Sequence, residues 1–175
     1  GYNVLTWDPR GFGESGGVAS VNDPELEGKD AQLLLDWVAE QPEAQTDADG
    51  DPRVGMVGFS YGGGIQLTLA GIDCRVDAIV PGIAWNSLTT ALFRAETVKT
   101  GWAGVLVNAA SSGTVDAHTL TAHESGTATG TLSDEDREWF TARGPGELID
   151  QIRVPTLLVQ GTVDTLFTPD EAILN

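Results

Sequence analysis

A serine flanked by glycines, Gly58-Phe59-Ser60-Tyr61-Gly62-Gly63, follows the apolar run 54–59 and precedes a small-residue, helix-compatible stretch at 62–70. This order predicts a strand, a sharp turn and a helix, the geometry that holds a serine hydroxyl out as a nucleophile for acyl transfer. In so tight a turn the positions two before and two after the serine nearly touch, so Gly58 and Gly62 are both expected to relieve a Cβ clash. A second match to the same spacing, Gly13-Glu14-Ser15-Gly16-Gly17, lies in a glycine-rich loop after Asp8-Pro9-Arg10-Gly11 has ended a strand. No helical pattern follows it before Asn22-Asp23-Pro24, so Ser60 is the candidate and Ser15 is not.

Acyl transfer by serine also needs a histidine base, an acid that orients it, and two donors for the oxyanion. The backbone N–H of Tyr61 is the candidate for one donor, because the residue after the nucleophile turns its amide into that hole. The acid is expected at the end of a later strand. The run Leu157-Leu158-Val159-Gln160-Gly161-Thr162-Val163-Asp164 places Asp164 there, with Asp170 its nearest competitor; Pro169-Asp170-Glu171 reads instead as a helix start. The two histidines, His118 and His123, precede Asp164 and sit in a Gly/Thr-rich region, where both read as exposed loop residues. At i, i+5 they stand about 140° apart on a helix and make no metal pair. The base is therefore expected beyond Asn175.

The elements that must position these groups alternate strand and helix. Strands are predicted at 3–7, 54–59, 76–83 and 154–160. A helix runs from Pro24, capped by Asp23, to about Gln41, with Ala31, Leu34, Leu35 and Val38 on its apolar stripe. Another covers 62–70. This alternation implies an α/β fold with a mainly parallel sheet and helices on both faces. About 70 residues between the last two strands break the rhythm. Helices are predicted there at 88–99, 102–110 and 133–143, the last with a Ser133/Asp136 capping box, and 111–131 reads as a mobile linker. An insertion at this point is placed to roof the carboxyl ends of the strands. The domain reading is thus core at 1–86, helical cap at 87–147, and return strand with acid loop at 148–175. Trp85, Phe93 and Trp102 are candidates to line a substrate pocket, or else to pack the core.

Composition narrows the classes. A net charge of −17 disfavours nucleic acid and anionic membrane surfaces as partners, and the scattered carboxylates read as a solvated acidic surface. The single cysteine, Cys74, excludes an internal disulfide and is expected to be partly buried. Asp47-Ala48-Asp49-Gly50-Asp51 resembles a calcium loop, but Pro52 and Gly58 stand where that loop needs glycine and glutamate. Gly11-Phe12-Gly13 does not open a helix and gives no dinucleotide site. No metal and no cofactor is expected. At 175 residues the chain can bury the core of one domain. It opens on Gly1 within a strand and stops at Asn175 within a helix turn, so both ends read as cut and the compartment is left open.

Four ordered motifs resemble one family across nearly the whole chain. Asp8-Pro9-Arg10-Gly11-Phe12-Gly13-Glu14-Ser15 resembles the D-x-R-G-x-G-x-S loop of α/β-hydrolases. The segment at 58–63 is similar to the elbow of their Xaa-Pro dipeptidyl-peptidase and cocaine-esterase-like branch, in which tyrosine commonly follows the serine. Residues 81–88 and 99–102 resemble that branch's strand end and cap, and 160–167 its acid loop. The resemblance implies an α/β-hydrolase core with a helical cap, and hydrolysis of esters or of peptide bonds after proline. It carries the nucleophile onto Ser60, an oxyanion amide onto Tyr61 and the acid onto Asp164. The family's upstream oxyanion segment and downstream histidine have no counterpart in this sequence. The expected function is a serine acyl hydrolase acting on a small ester or peptide. The rivals are a non-catalytic binding module on the same fold and an acyltransferase using the same serine.

Overall fold

The computed structural model describes residues 1–175. Helix α1 (Glu27–Ala39) is followed by a small hairpin, β1 (Thr46–Ala48) and β2 (Asp51–Pro52), then β3 (Val54–Phe59), α2 (Tyr61–Ile72) and β4 (Val76–Gly82). α1 starts three residues later than the sequence predicts. The Asp23 side chain caps nothing in it: its Oδ1 instead accepts the Glu25 amide at 2.8 Å, while its carbonyl accepts the amides of Leu26 and Gly28. The acidic run 47–51 is the turn of the small hairpin, with Asp47 accepting from Arg53 Nε at 3.1 Å.

β3 and β4 run parallel, with Met56, Val57 and Phe59 opposite Ile79, Val80 and Gly82. The predicted return strand joins the other edge of β4. Ile79 N–H donates to Pro155 O at 3.0 Å, Leu157 to Ile79, Val159 to Pro81, and Ile83 to Val159 at 2.7 Å. The spacing is that of a parallel ladder. The run 3–7 forms no ladder: it has no backbone partner, and Tyr2 and Val4 are exposed. A strand propensity without a paired edge leaves an extended segment only.

One sheet face is buried under α1 and α2. Ala31 and Leu35 from α1 meet Ile65, Leu67 and Leu69 from α2 over Val76 and Ile79. α2 is nearly all inside, because Gly63 lets it approach β4: a Cβ there would stand 2.6 Å from Gly82 O. The opposite face presents Val57, Phe59 and Leu157 to solvent. Cys74, in the turn between α2 and β4, is exposed rather than partly buried.

After β4 come α3 (Leu88–Leu92), a hairpin of β5 (Phe93–Arg94) and β6 (Thr97–Val98), α4 (Thr100–Ala109), α5 (Ala117–Thr129), α6 (Asp134–Thr141) and α7 (Pro169–Leu174). Two expectations fail here. The helix predicted at 88–99 ends at Leu92, because Ala95 (φ 51°) and Glu96 (φ 56°) turn the chain back on itself. The predicted linker is largely α5, started by Asp116 accepting the His118 amide at 2.8 Å and ended by Gly130 at φ 78°. Three of its hydroxyls are absorbed locally: Thr121 and Thr129 donate to carbonyls four residues back, and Ser125 to one three back. The Ser133/Asp136 capping box of α6 forms as expected.

This excursion leaves and returns through a narrow neck. Gly146 N–H donates to Asn86 O at 3.1 Å, and the buried Glu171 of α7 accepts the amides of Asn86 (2.9 Å) and Ser87 (3.2 Å) and the Thr90 hydroxyl (2.8 Å). It is also tied to the core ahead of α5. Thr114 N–H donates to Gly11 O, Ala19 N–H to Thr114 O, and Asp116 N–H to Ala19 O.

Candidate active site

Ser60 lies between β3 and α2 with φ 55° and ψ −118°. A non-glycine residue reaches that region only where its surroundings impose it, at a cost of about 1–3 kcal/mol. Three hydrogen bonds impose it here. Ser60 N–H is bound to Gly82 O at 2.9 Å, and its carbonyl accepts the amides of Gly63 (2.8 Å) and Gly64 (2.9 Å). Close approach explains Gly58, where a Cβ would meet Gly62 O at 2.8 Å; at Gly62 a Cβ would find open space, so the clash rule applies to Gly58 alone. Gln66 locks the turn by donating to the carbonyls of Gly62 (2.7 Å) and Gly58 (3.2 Å) while accepting Val80 N–H (3.0 Å). Ser15 stands elsewhere, in a loop with its Oγ bound to Asp8 O at 2.7 Å.

Tyr61 is the first residue of α2, so its N–H has no acceptor within the helix and lies at the positive end of the helix dipole. Its side chain is a clamp that the sequence did not reveal. The phenol oxygen accepts the amides of Val21 (3.1 Å) and Asn22 (3.3 Å) and donates to Glu27 Oε1 (3.1 Å), and Asn22 Nδ2 donates back to Tyr61 O (2.8 Å). Burial, followed by the Glu27 charge, pushes the phenol pKa well above its usual value. The buried Glu27 also accepts the amides of Ser20 and Asp23, so one carboxylate organises the whole 20–23 turn beside the serine.

Ser60 opens into an apolar cavity of about 400 Å³. The core contributes Phe12, Tyr61, Trp85 and Phe167 to its walls, and the cap contributes residues of α4 and α5. Phe12 meets Tyr61 edge-on with ring centroids 6.2 Å apart, and Trp85 packs on Phe167 at 5.3 Å. Of the three aromatic candidates, Trp85 lines this cavity. Phe93 lies at a separate surface pocket beside Arg94 and Asp170. Trp102 packs against the neighbouring core and donates from Nε1 to Thr165 Oγ1 at 3.1 Å.

That last contact belongs to the loop that carries Asp164. Asp164 Oδ1 accepts the amides of Leu166 (2.8 Å) and Phe167 (3.0 Å), while Oδ2 has a single long contact from Gln160 Nε2 at 3.4 Å. One oxygen thus fixes the loop and the other is left largely available. Lys99 holds the same loop from the cap side, donating to the carbonyls of Thr165 (2.9 Å) and Leu166 (3.0 Å); burial, then Arg94, draws its ammonium pKa down. Asp170 pairs instead with Arg94 at 2.6 Å, at the start of α7.

Neither histidine is the exposed loop residue expected. His118 is stacked on Trp139 (4.8 Å, 5° between planes) with Nε2 2.9 Å from Asp136 Oδ1, off the hydrogen-bond axis. Arg143 covers the Trp139 ring at 3.5 Å and pairs with Asp23 at 3.1 Å, joining cap to core. His123, in contrast, lines the cavity that Ser60 opens into. A helical reading of 117–129, on the strength of Asp116 and Gly130 as its ends, would have drawn attention to it.

A strand, a tight turn at Ser60 and a helix, with a capped parallel sheet, define the α/β-hydrolase fold. Solved structures agree with that class. The Pyrococcus furiosus esterase superposes with a TM-score of 0.60 at 23% identity, covering 99% of this chain and 55% of its own. A CocE/NonD family hydrolase from Staphylococcus aureus gives 0.61 at 19% identity, covering 84% and 25%. Residues 1–174 match the X-Pro dipeptidyl-peptidase (S15) family, and the chain belongs to it. An uncharacterised 31.7 kDa Escherichia coli protein from the traX–finO intergenic region is 33% identical over 85 residues. Those residues are 49% of this chain and 28% of that protein.

Proposed function

We propose that the protein is a serine acyl hydrolase acting through Ser60. The observation that carries this reading is the forced backbone of Ser60, at φ 55°, opening into an apolar cavity beside an uncommitted helix amide. The Ser60 hydroxyl attacks an ester or amide carbonyl. Its proton passes to a general-base histidine, and Asp164 orients and balances that histidine through Oδ2. The Tyr61 N–H stabilises the tetrahedral oxyanion, a donor worth about 3 kcal/mol in comparable sites. Collapse expels the leaving group with the histidine's proton and leaves an acyl-serine, which water then hydrolyses by the same steps.

A fluorophosphonate probe tests this in the full-length protein. Ser60 is expected to be labelled and Ser15 untouched, with labelling abolished by Ser60→Ala. A folded sample in which Ser60 stays unmodified would favour a binding module on the same fold. Product analysis with added alcohol or amine acceptors separates hydrolysis from acyl transfer.

A further inference from the structure

The polar side chains lining the cavity are Ser60, Tyr61, Trp85, Thr119 and His123, set in otherwise apolar walls. Three of them are not free to meet a ligand. Ser60 is the reacting group, the Tyr61 hydroxyl is used by Val21, Asn22 and Glu27, and Trp85 Nε1, also without a hydrogen-bond partner, is packed against Gly144, which is not among the cavity walls. Thr119 and His123 remain. They are one turn apart on α5, at the i, i+4 spacing that puts both on one face. Thr119 Oγ1 is buried without a hydrogen-bond partner. A buried hydroxyl left unpaired is costly, so its presence in an apolar wall points to a ligand group that pairs with it.

Resting on the serine acyl hydrolase reading, we infer that this cavity receives an uncharged, mainly apolar acyl group bearing one hydrogen-bonding oxygen, taken up by Thr119 and His123. The volume, about 400 Å³, lies toward the small end of ligand pockets (about 300–1,000 Å³) and suits a medium-length or aryl acyl group. An acyl group with a free ammonium, as on an aminoacyl-proline substrate, would lose its hydration among these walls without gaining a counter-charge. The cap therefore selects against the free-amine substrates that the family's description suggests, and α5 supplies the selecting residues.

The test uses p-nitrophenyl esters of hexanoate, 4-oxohexanoate, 5-oxohexanoate and 6-aminohexanoate with the full-length protein. Hexanoate should exceed 6-aminohexanoate at least about tenfold in kcat/KM, since chain length is matched and charge differs. Thr119→Val should lower the kcat/KM ratio of the better oxo ester to hexanoate about five- to tenfold, the value of one hydrogen bond. Thr121→Val, on the exposed side of α5, should leave that ratio unchanged. A preferred amino ester, or a ratio in Thr119→Val within twofold of the unmodified protein, overturns the inference. If Ser60 is nevertheless labelled by fluorophosphonate, the hydrolase reading stands without it. An unlabelled Ser60 removes both.

Discussion

Replacing Tyr61 with phenylalanine removes one oxygen from the contacts that flank Ser60, and its consequences can be worked out bond by bond. Two buried amides, those of Val21 and Asn22, lose their acceptor, and Glu27 loses one of its three donors. With about 1 kcal/mol for each neutral bond and somewhat more for the one to a carboxylate, Tyr61→Phe should cost about 2–4 kcal/mol at pH 7. The pH dependence is more diagnostic. The folded state holds the phenol protonated to a higher pH than the unfolded chain does, whose tyrosine titrates near its ordinary value. Stability from this group is therefore complete below about pH 10 and is lost as pH rises above it, by about 1.4 kcal/mol per unit. Urea unfolding at pH 7 to 11.5 checks this, with the variant subtracting the contribution of other alkaline groups. The gap between the two proteins should narrow by about 2 kcal/mol from pH 10 to 11.5. Parallel profiles over that range, or a loss below about 0.5 kcal/mol at pH 7, would refute the clamp.

Two further outcomes follow from the site and its cap. Ser60→Gly should abolish fluorophosphonate labelling while raising stability by about 1 kcal/mol, since glycine occupies a positive φ without strain; a loss of stability in urea would contradict the strain at the elbow. For the Asp23–Arg143 pair, a double-mutant cycle with Asp23→Asn and Arg143→Gln should give a coupling of about 1 kcal/mol, above most exposed pairs because both side chains are largely covered. A coupling near zero would mean that stacking on Trp139, and not the charge pair, holds the end of α6.

The elbow was legible because its chemistry is local. Gly58 is needed by a contact four residues away, and the apolar run before Ser60 and small residues after it announce strand and helix in one short window. The return strand and the loop after it were legible for a similar reason: an apolar run, a glycine and a carboxylate in sequence. α5 was not, because Thr121, Ser125 and Thr129 belong to a composition that usually favours turns. Their side chains satisfy themselves on the helix's own carbonyls, and the real signals were single residues at its ends, Asp116 and Gly130. The hairpin at 93–98 had no marker at all, since alanine and glutamate seldom adopt the positive φ found at Ala95 and Glu96. The Tyr61–Glu27 clamp joins residues 34 apart and exists only once the chain has folded. Trp102 and Lys99 show the same limit: a candidate for the pocket or the core, and a residue given no individual role, both hold the loop at Thr165, 63 and 66 residues away.

The neck at Asn86 and Gly146 has an evolutionary consequence. Because the excursion departs and returns within one hydrogen bond, its length and helices can change without moving β4 or the return strand. Glu171 fastens that junction from α7, outside the excursion, so a replacement segment would inherit a ready-made anchorage. Exchange of helices within the excursion would reshape the cavity wall built by α4 and α5, provided that Lys99 and Trp102, which hold the Thr165 loop from inside it, were kept.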